Sequence, residues 1–163
     1  MPPRYGDMVE HFFSGSGVCV VDGAGRLLLP AFVRETISLR SAAHRLLIGS
    51  HESDPCLVAY DAGFVSTIHA DVERRRIAEQ AISPQLHFAR ARRAFGFVEP
   101  ADVDAGRIVL PELMRRRARI DQLALLVGTG GTFEIWDTQV ALERGEADLH
   151  ELAAFHLDRQ KAA

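Results

Sequence analysis

The sequence contains one short phrase twice, and this internal repeat restricts the possible folds more than any other feature. VDGAGRLLLP occupies positions 21–30, and VDAGRIVLP occupies positions 103–111. Aligning the Gly-Arg pairs at 25–26 and 106–107 gives an offset of 81 residues. With small slips the match continues, since LLIG at 46–49 resembles LLVG at 125–128 and AYD at 59–61 resembles IWD at 135–137. We therefore expect two similar units.

Each unit is too small to build a thick core of its own. The chain has 163 residues, of which 47% are hydrophobic and 25% charged, a composition typical of globular proteins. Half of that length is about 80 residues, which buries little surface. We expect the two halves to pack against each other or against other subunits.

The apolar runs predict the same order of elements in both copies. Short Val- and Leu-rich runs separated by glycines indicate strands joined by tight turns. Pro30 and Pro111 each follow the repeated phrase, and proline is well suited to the first turn of a helix. One unit is thus strand, turn, strand, short helix, strand, turn, strand, and Pro100 indicates an edge or a bulge in its strand.

Further helices are expected between and after the units. Phe64, Ile68 and Val72 recur every fourth residue, which favours a helix over about 62–80. Ser83-Pro84 resembles a helix start, with an N-cap followed by proline at the first helical position, and the helix would run to about Phe95. The stretch after Asp137 has the same helical character.

Charge is unevenly distributed along the chain. The net charge of −3 argues mildly against nucleic acid, but residues 70–119 carry 11 basic and 7 acidic side chains. Residues 120–163 carry 3 basic and 8 acidic ones. The arginine clusters ERRR at 73–76, ARARR at 89–93 and RRRAR at 115–119 are equally compatible with solvated helix faces, so charge alone does not establish DNA binding.

The sequence does not favour a metal site, a cofactor or catalysis. In HELAAFH, His150 and His156 are six residues apart, whereas the metalloprotease pattern places its histidines at i and i+4. The glycine-rich stretches lack a phosphate-binding lysine or a full GxGxxG context, and no GxSxG elbow occurs. Cys19 and Cys56 form no CxxC pair and are expected to be small apolar residues in strands.

No apolar run approaches the roughly 18 residues needed to cross a bilayer. The N-terminus also lacks the basic-then-apolar plan of a signal peptide. We expect a cytoplasmic protein that does not bind membranes.

The repeated turn carries the most specific candidate chemistry. Asp22 precedes Arg26 by four residues across Gly-Ala-Gly, so the carboxylate can hold the guanidinium by charge-assisted hydrogen bonds. An ordered arginine can make paired hydrogen bonds to the O6 and N7 atoms of guanine in the major groove. The alternative is a structural ion pair that closes a turn and has no partner outside the protein.

These residues resemble the MraZ family, transcriptional regulators of the bacterial division and cell-wall gene cluster. The resemblance covers nearly the whole chain. It rests on these segments: FSG at 13–15, DGAGRLLLP at 22–30, PCLVAYD at 55–61, ERRR at 73–76, RRAFGF at 92–97, DAGRIVLP at 104–111 and FEIWD at 133–137.

The resemblance implies a mainly β fold with flanking α helices, in which tandem AbrB-like swapped-hairpin units form a pseudo-two-fold β-barrel. The units would span 11–61 and 94–137, with a helical connector at 62–93 and a C-terminal helical segment at 138–163. Family members form closed rings, which implies a homo-oligomer, an octamer by resemblance. They bind tandem G-rich direct repeats in double-stranded promoter DNA and usually repress the cluster, which implies a location on the nucleoid.

The DNA-reading motif of the family is Asp-x-x-x-Arg, which places Asp22, Gly25 and Arg26 in the first turn. The second turn offers Gly106 and Arg107, but at the offset of 81 residues Val103 occupies the aspartate position. A shift of one residue along a strand moves a side chain to the other face, so only a bulge would bring Asp104 to Arg107. Candidate phosphate contacts lie in or just after the short helices: Arg34, Arg40, Arg115, Arg116 and Arg117.

Two other functions are compatible with the sequence. The changed second turn and the acidic C-terminal third would suit a module whose main partner is another protein, with only residual DNA affinity. An enzyme that uses the glycine loops would have to bind nucleotides.

Overall fold

The computed structural model describes residues 11–40 and 44–162. The first copy contains four strands: β1 (Ser16–Val20), β2 (Arg26–Leu28), β3 (Arg45–Ser50) and β4 (Leu57–Asp61). The second contains β5 (Val98–Asp102), β6 (Arg107–Val109), β7 (Leu123–Gly128) and β8 (Phe133–Asp137). The helices are α1 (Ala31–Leu39), α2 (Val65–Ile82), α3 (Pro84–Ala91), α4 (Glu112–Arg117), α5 (Thr138–Arg144) and α6 (Ala147–Ala162).

The predicted order of elements is confirmed in both copies. Pro30 directly precedes α1, and Pro111 directly precedes α4. Pro84 is the first residue of α3, as expected from its fixed backbone angle. Pro100 lies in β5, an edge strand of the sheet, where its missing N–H interrupts no second ladder.

Strand pairing crosses between the two copies. Six strands form one sheet in the order β1-β7-β8-β4-β3-β5, and β2 pairs with β6 in a separate two-stranded ribbon. Exchanging every strand for its counterpart in the other copy gives the same order in reverse. The local prediction that β1 and β2 pair as a simple hairpin is therefore wrong, because each finds its partner strand in the other copy.

The pairing register has the same symmetry. In the ribbon, Leu27 opposes Ile108, which is its own counterpart at the offset of 81 residues. Between β4 and β8, Val58 opposes Glu134 in the same central position. The chain thus pairs with itself about a pseudo-two-fold axis.

A shared core explains why the copies pack together. One hydrophobic cluster contains equivalent buried residues of both copies: Leu27, Leu29 and Val33, with Ile108, Leu110 and Met114. All six are at most 2% exposed. A single short hairpin is marginally stable in water, and cross-pairing buries the apolar side of both ribbon strands at once.

A second cluster lies beneath the C-terminal helices and includes Cys56, Trp136 and Leu149. Cys56 directly precedes β4, and Cys19 lies in β1. Burial raises the pKa of the Cys19 thiol to about 12 and also raises the pKa of Cys56. Both thiols are therefore protonated at neutral pH and are poor nucleophiles.

Two parts of the expected fold class are wrong for the described residues. The fold is mixed, with 48% helix and 28% strand, because the connector and the C-terminal segment are long helices. The strands also do not close into a barrel, because β1 and β5 remain open edges and the ribbon pairs only with itself. Within residues 11–40 and 44–162, no helix combines the length and apolar character that crossing a membrane requires.

Candidate nucleic-acid interface

The two repeated turns lie at opposite ends of the β2–β6 ribbon. Each turn is fastened to the strand of the other copy. The N–H of Leu29 donates to the carbonyl of Gly106, and the N–H of Leu110 donates to the carbonyl of Gly25, both at 2.9 Å. The ribbon therefore holds both turns in one rigid unit.

The first turn is closed by Asp22. Its Oδ1 accepts the N–H groups of Ala24 and Arg26, both at 2.9 Å. Its Oδ2 accepts the Nε–H of Arg26 at 2.9 Å. One carboxylate thus shapes the backbone and also orients the arginine side chain, as the sequence predicted.

This ion pair faces solvent. The side chains of Arg26 and Asp22 are 64% and 43% exposed. The backbone N–H of Arg26, together with its guanidinium, holds the pKa of Asp22 below its usual range, so the carboxylate stays charged at neutral pH. Among the described residues, the terminal nitrogens of Arg26 have no hydrogen-bond partner, which leaves two donors pointing outward.

The second turn is shorter. Asp104 and Arg107 exchange two backbone hydrogen bonds of 2.9 Å across Ala105 and Gly106. Both central residues have positive φ, 50° and 75°. This is the backbone of a two-residue hairpin turn, whereas three residues separate Asp22 from Arg26.

The strand register corrects the interpretation that Val103 occupies the position of Asp22. The N–H of Val21 donates to Gln122, and the N–H of Val103 donates to the corresponding carbonyl of His44. Val103 is therefore the counterpart of Val21, and Asp104 is the counterpart of Asp22. The second copy lacks one residue inside the turn, which a constant offset cannot reveal.

The shorter turn changes how Arg107 is held. Asp102 pairs with Arg45 at 2.9 Å instead. No acidic side chain of the described residues pairs with Arg107, although Asp104 lies directly across the turn. The two equivalent arginines thus differ in order: Arg26 is fixed by a carboxylate, and Arg107 is not.

Two further arginines flank the turns in an equivalent way. Arg34 and Arg115 are counterparts at the offset of 81 residues. A Cβ on Gly106 would lie 2.8 Å from Cδ of Arg34, and a Cβ on Gly25 would lie 3.5 Å from Nη1 of Arg115. Each helix arginine therefore packs against the turn of the other copy, and Arg115 also donates to the carbonyl of Gly23 at 3.2 Å.

The other predicted phosphate contacts have protein partners. Arg40 lies in an ion pair with the buried carboxylate of Asp61, at 2.5 Å, and its side chain is only 16% exposed. Arg116 pairs with Glu112 on the surface of α4 at 2.8 Å. The guanidinium of Arg117 lies 5.1 Å from the ring centre of Phe97.

Sequence reasoning missed Leu28 and Val109. Both lie on the ribbon and are 41% and 52% exposed, although each is flanked by fully buried residues. Each lies two positions after a candidate arginine, so the strand alternation would place them on the same face as Arg26 and Arg107. That alternation is the signal that could have found them.

His51, Cys56 and Glu134 are close enough to hold a metal ion, with ligand atoms within 4.8 Å of one another. The hydrogen bonds favour another role. Nδ1 of His51 accepts the N–H groups of Ser53 and Asp54, which leaves the proton on Nε2, 3.3 Å from Glu134. A metal at Nε2 would require a proton on Nδ1, so we assign this group to the fold.

The two histidines of HELAAFH have separate protein partners. Nδ1 of His150 is 2.8 Å from the carbonyl of Leu142, and Nε2 of His156 is 2.9 Å from the hydroxyl of Ser16. The glycine stretches also have structural positions. Gly23 and Gly25 belong to the first turn, and 128–131 joins β7 to β8.

A cavity of about 690 Å³ lies between the sheet and the connector helices. Its arginines already have partners: Arg90 binds Glu79 and Glu52, Arg93 donates to the carbonyl of His51, and Arg74 binds Asp71. The cavity therefore offers less free positive charge to an anionic ligand than the ribbon does.

Comparison with known proteins agrees with this architecture. No family model matches the sequence. A protein of Hydrogenovibrio crunogenus is 30% identical over 129 residues, which are 78% of this chain and 81% of the relative. One of Nitrosococcus oceani is 31% identical over 151 residues, 92% of this chain and 97% of the relative. One of Chromobacterium violaceum is 31% identical over 126 residues, 77% and 80%.

The fold and the ribbon define an internally duplicated, mixed α/β protein that presents arginines on turns of a shared ribbon. All three relatives are named as transcriptional regulators, a class whose members are in general not enzymes. The chain belongs to the MraZ family.

Proposed function

We propose that this protein is a sequence-specific DNA-binding transcriptional regulator that reads bases with the β2–β6 ribbon. The observation that carries the proposal is the first turn. There Asp22 fixes Arg26 while the terminal nitrogens of Arg26 face solvent. Two parallel donors in a fixed plane match the O6 and N7 acceptors of guanine.

Preorganisation gives this geometry its value. A free arginine loses side-chain entropy when it binds, and a guanidinium already held by a carboxylate loses less of it. Asp22 contacts only one edge of the guanidinium, through Nε. The same ion pair would close the turn in a purely structural role, but such a role does not need the outer edge to remain exposed.

Phosphate binding falls to a subset of the predicted arginines. Arg34 and Arg116 are exposed and lie on the short helices that follow the ribbon. Arg115 flanks the first turn and Arg117 lies near the end of α4. We assign Arg40 to the fold, because its charge is already neutralised by Asp61.

The family implies the remaining features of the proposal. The cross-paired copies correspond to AbrB-like swapped-hairpin units at 11–61 and 94–137, with helical segments at 62–93 and 138–163. The protein would form a closed ring, an octamer by resemblance, bind tandem G-rich direct repeats in a promoter, repress its gene cluster, and lie on the nucleoid in the cytoplasm. A ring joins several weak contacts into one event and raises affinity by about 10² to 10⁴ over a single contact.

Substitution of Arg26 tests the proposal. The Arg26→Ala variant should lose binding to a duplex carrying the direct repeats upstream of the gene. One guanine contact contributes about 1 to 3 kcal/mol, and every subunit loses it. Arg76→Ala is a matched control, because Arg76 is an exposed arginine that pairs with Glu73 on α2, outside the ribbon. Fluorescence anisotropy measures affinity, and sedimentation shows whether each oligomer is intact.

Wild-type affinity of an intact Arg26→Ala oligomer would refute the role of the first turn. Equal binding to a scrambled duplex, with a steep loss at higher salt, would indicate only electrostatic attraction to phosphates.

A protein-interaction module is the second candidate. It is favoured by the second turn, where no described acid holds Arg107, and by the acidic residues 120–163. A stoichiometric protein partner combined with only salt-sensitive, nonspecific DNA binding would support it.

A further inference from the structure

The ribbon register places two arginines and two aliphatic side chains on one face. Arg26 opposes Val109, and Leu28 opposes Arg107. Directly opposed residues of an antiparallel pair point to the same side, and so do residues two apart along a strand. Leu27 and Ile108 point to the other side and are each 2% exposed.

This face is unusual because its aliphatic residues remain in water. Leu28 and Val109 are 41% and 52% exposed, whereas their sequence neighbours are buried in the shared core. The Cδ1 atom of Leu28 lies over the second turn, 3.5 Å from where a Cβ on Gly106 would be. Each end of the ribbon therefore presents one arginine beside one aliphatic side chain.

The dimensions of this face match DNA. Two residues along a strand span about 7 Å, and two base-pair steps also span about 7 Å. The major groove is about 12 Å wide and admits a two-stranded ribbon. Positive charge at both ends of the face complements the negative potential of the groove.

We propose that the ribbon reads two guanines about two base-pair steps apart, with the 5-methyl group of a thymine beside each. Arg26 and Val109 read one end, and Leu28 and Arg107 read the other. Arginine supplies donors to guanine O6 and N7, and an aliphatic side chain contacts the thymine methyl group. This inference rests on the proposed function and adds the aliphatic half of the recognition.

The test removes only methyl groups from the DNA. Two duplexes carry the same G-rich direct repeats, one with thymine and one with deoxyuridine at every thymine position in the repeats. Both keep the same hydrogen bonds. Wild-type protein should bind the deoxyuridine duplex about fourfold more weakly for each thymine methyl group that the ribbon covers. The Leu28→Ala/Val109→Ala double variant should bind both duplexes equally.

Ile82→Ala is the control, because Ile82 is an exposed aliphatic residue at the end of α2. It should show the wild-type difference between the two duplexes. Melting temperature and sedimentation show that each variant is folded and assembled, and Leu28→Met/Val109→Ile provides a second pair that keeps an aliphatic surface if the alanine pair does not fold. That pair should retain discrimination between the duplexes.

Equal wild-type affinity for the thymine and deoxyuridine duplexes overturns the inference while leaving the proposed function intact, provided that the Arg26→Ala variant still loses the repeats. An undiminished difference in the alanine double variant also overturns it. Absence of any repeat-specific binding overturns the proposed function and this inference together.

Discussion

At the scale of single residues, Arg26 and Arg107 are equivalent by sequence but not by environment. Asp22 accepts three hydrogen bonds, two from backbone N–H groups and one from the Arg26 side chain. Arg107 instead follows a two-residue turn without a described carboxylate partner. The order of the guanidinium, more than its charge, thus distinguishes the two ends of the ribbon.

Two conservative substitutions separate order from charge. Arg26→Lys keeps the charge but removes the planar pair of donors, so specific binding should fall by about tenfold or more at each reading site. Asp22→Asn keeps an acceptor for the turn but loses the anionic partner of Arg26, and should weaken binding by about two- to fivefold at each site.

Anisotropy titrations against specific and scrambled duplexes provide the measurement. Nonspecific affinity should stay close to wild type for Arg26→Lys and should not fall for Asp22→Asn, which removes a negative charge. If both variants lose specific and nonspecific affinity in the same proportion, the turn contributes charge alone.

At the scale of elements, much of the fold could be predicted, because its signals are local. Pro30 and Pro111 mark helix starts, and the apolar runs mark strands. Pairing could not be predicted in this way. Whether β1 joins β2 or β7 depends on burial across the whole chain, and cross-pairing buries Leu27 against Ile108.

The candidate site was predictable only in part for the same reason. The Asp22–Arg26 contact joins residues four apart, so the sequence predicted it and the structure contains it. The deletion after Asp104 could be located only from strand register, since Val21 and Val103 make equivalent backbone hydrogen bonds. Arg40 looked free in sequence because its partner, Asp61, is 21 residues away.

Restoring the missing residue tests this view of the second turn. A glycine inserted between Asp104 and Ala105 recreates Asp-Gly-Ala-Gly-Arg, the sequence of the first turn. We expect the carboxylate of Asp104 to capture Arg107 and specific DNA affinity to rise by about two- to fivefold. Combining the insertion with Asp104→Asn should cancel the gain, and a gain that persists would mean that the carboxylate is not its cause.

At the scale of the whole molecule, one ribbon offers few contacts. Its reading face consists of four side chains, and a surface of that size gives weak binding by itself. Several ribbons in one oligomer reach high affinity only when the spacing of the DNA repeats matches the spacing of the subunits.

Affinity should therefore depend on the number and phase of the repeats. A duplex with two repeats should bind about 10² to 10⁴ times more tightly than a duplex with one. Inserting half a helical turn, about five base pairs, between the repeats should remove most of that gain, because the second site then faces away. Equal affinity for one and two repeats at the natural spacing would argue for a monomeric reader.

The residue absent from the second turn has a consequence for orientation. With two identical turns, the ribbon would lie equally well on DNA in either direction, and its natural target would be a palindrome. With one turn closed by a carboxylate and the other two residues long, the ribbon has a head and a tail. Reading elements of this kind prefer sites that all point the same way, so a single deletion gives the protein a means to distinguish upstream from downstream.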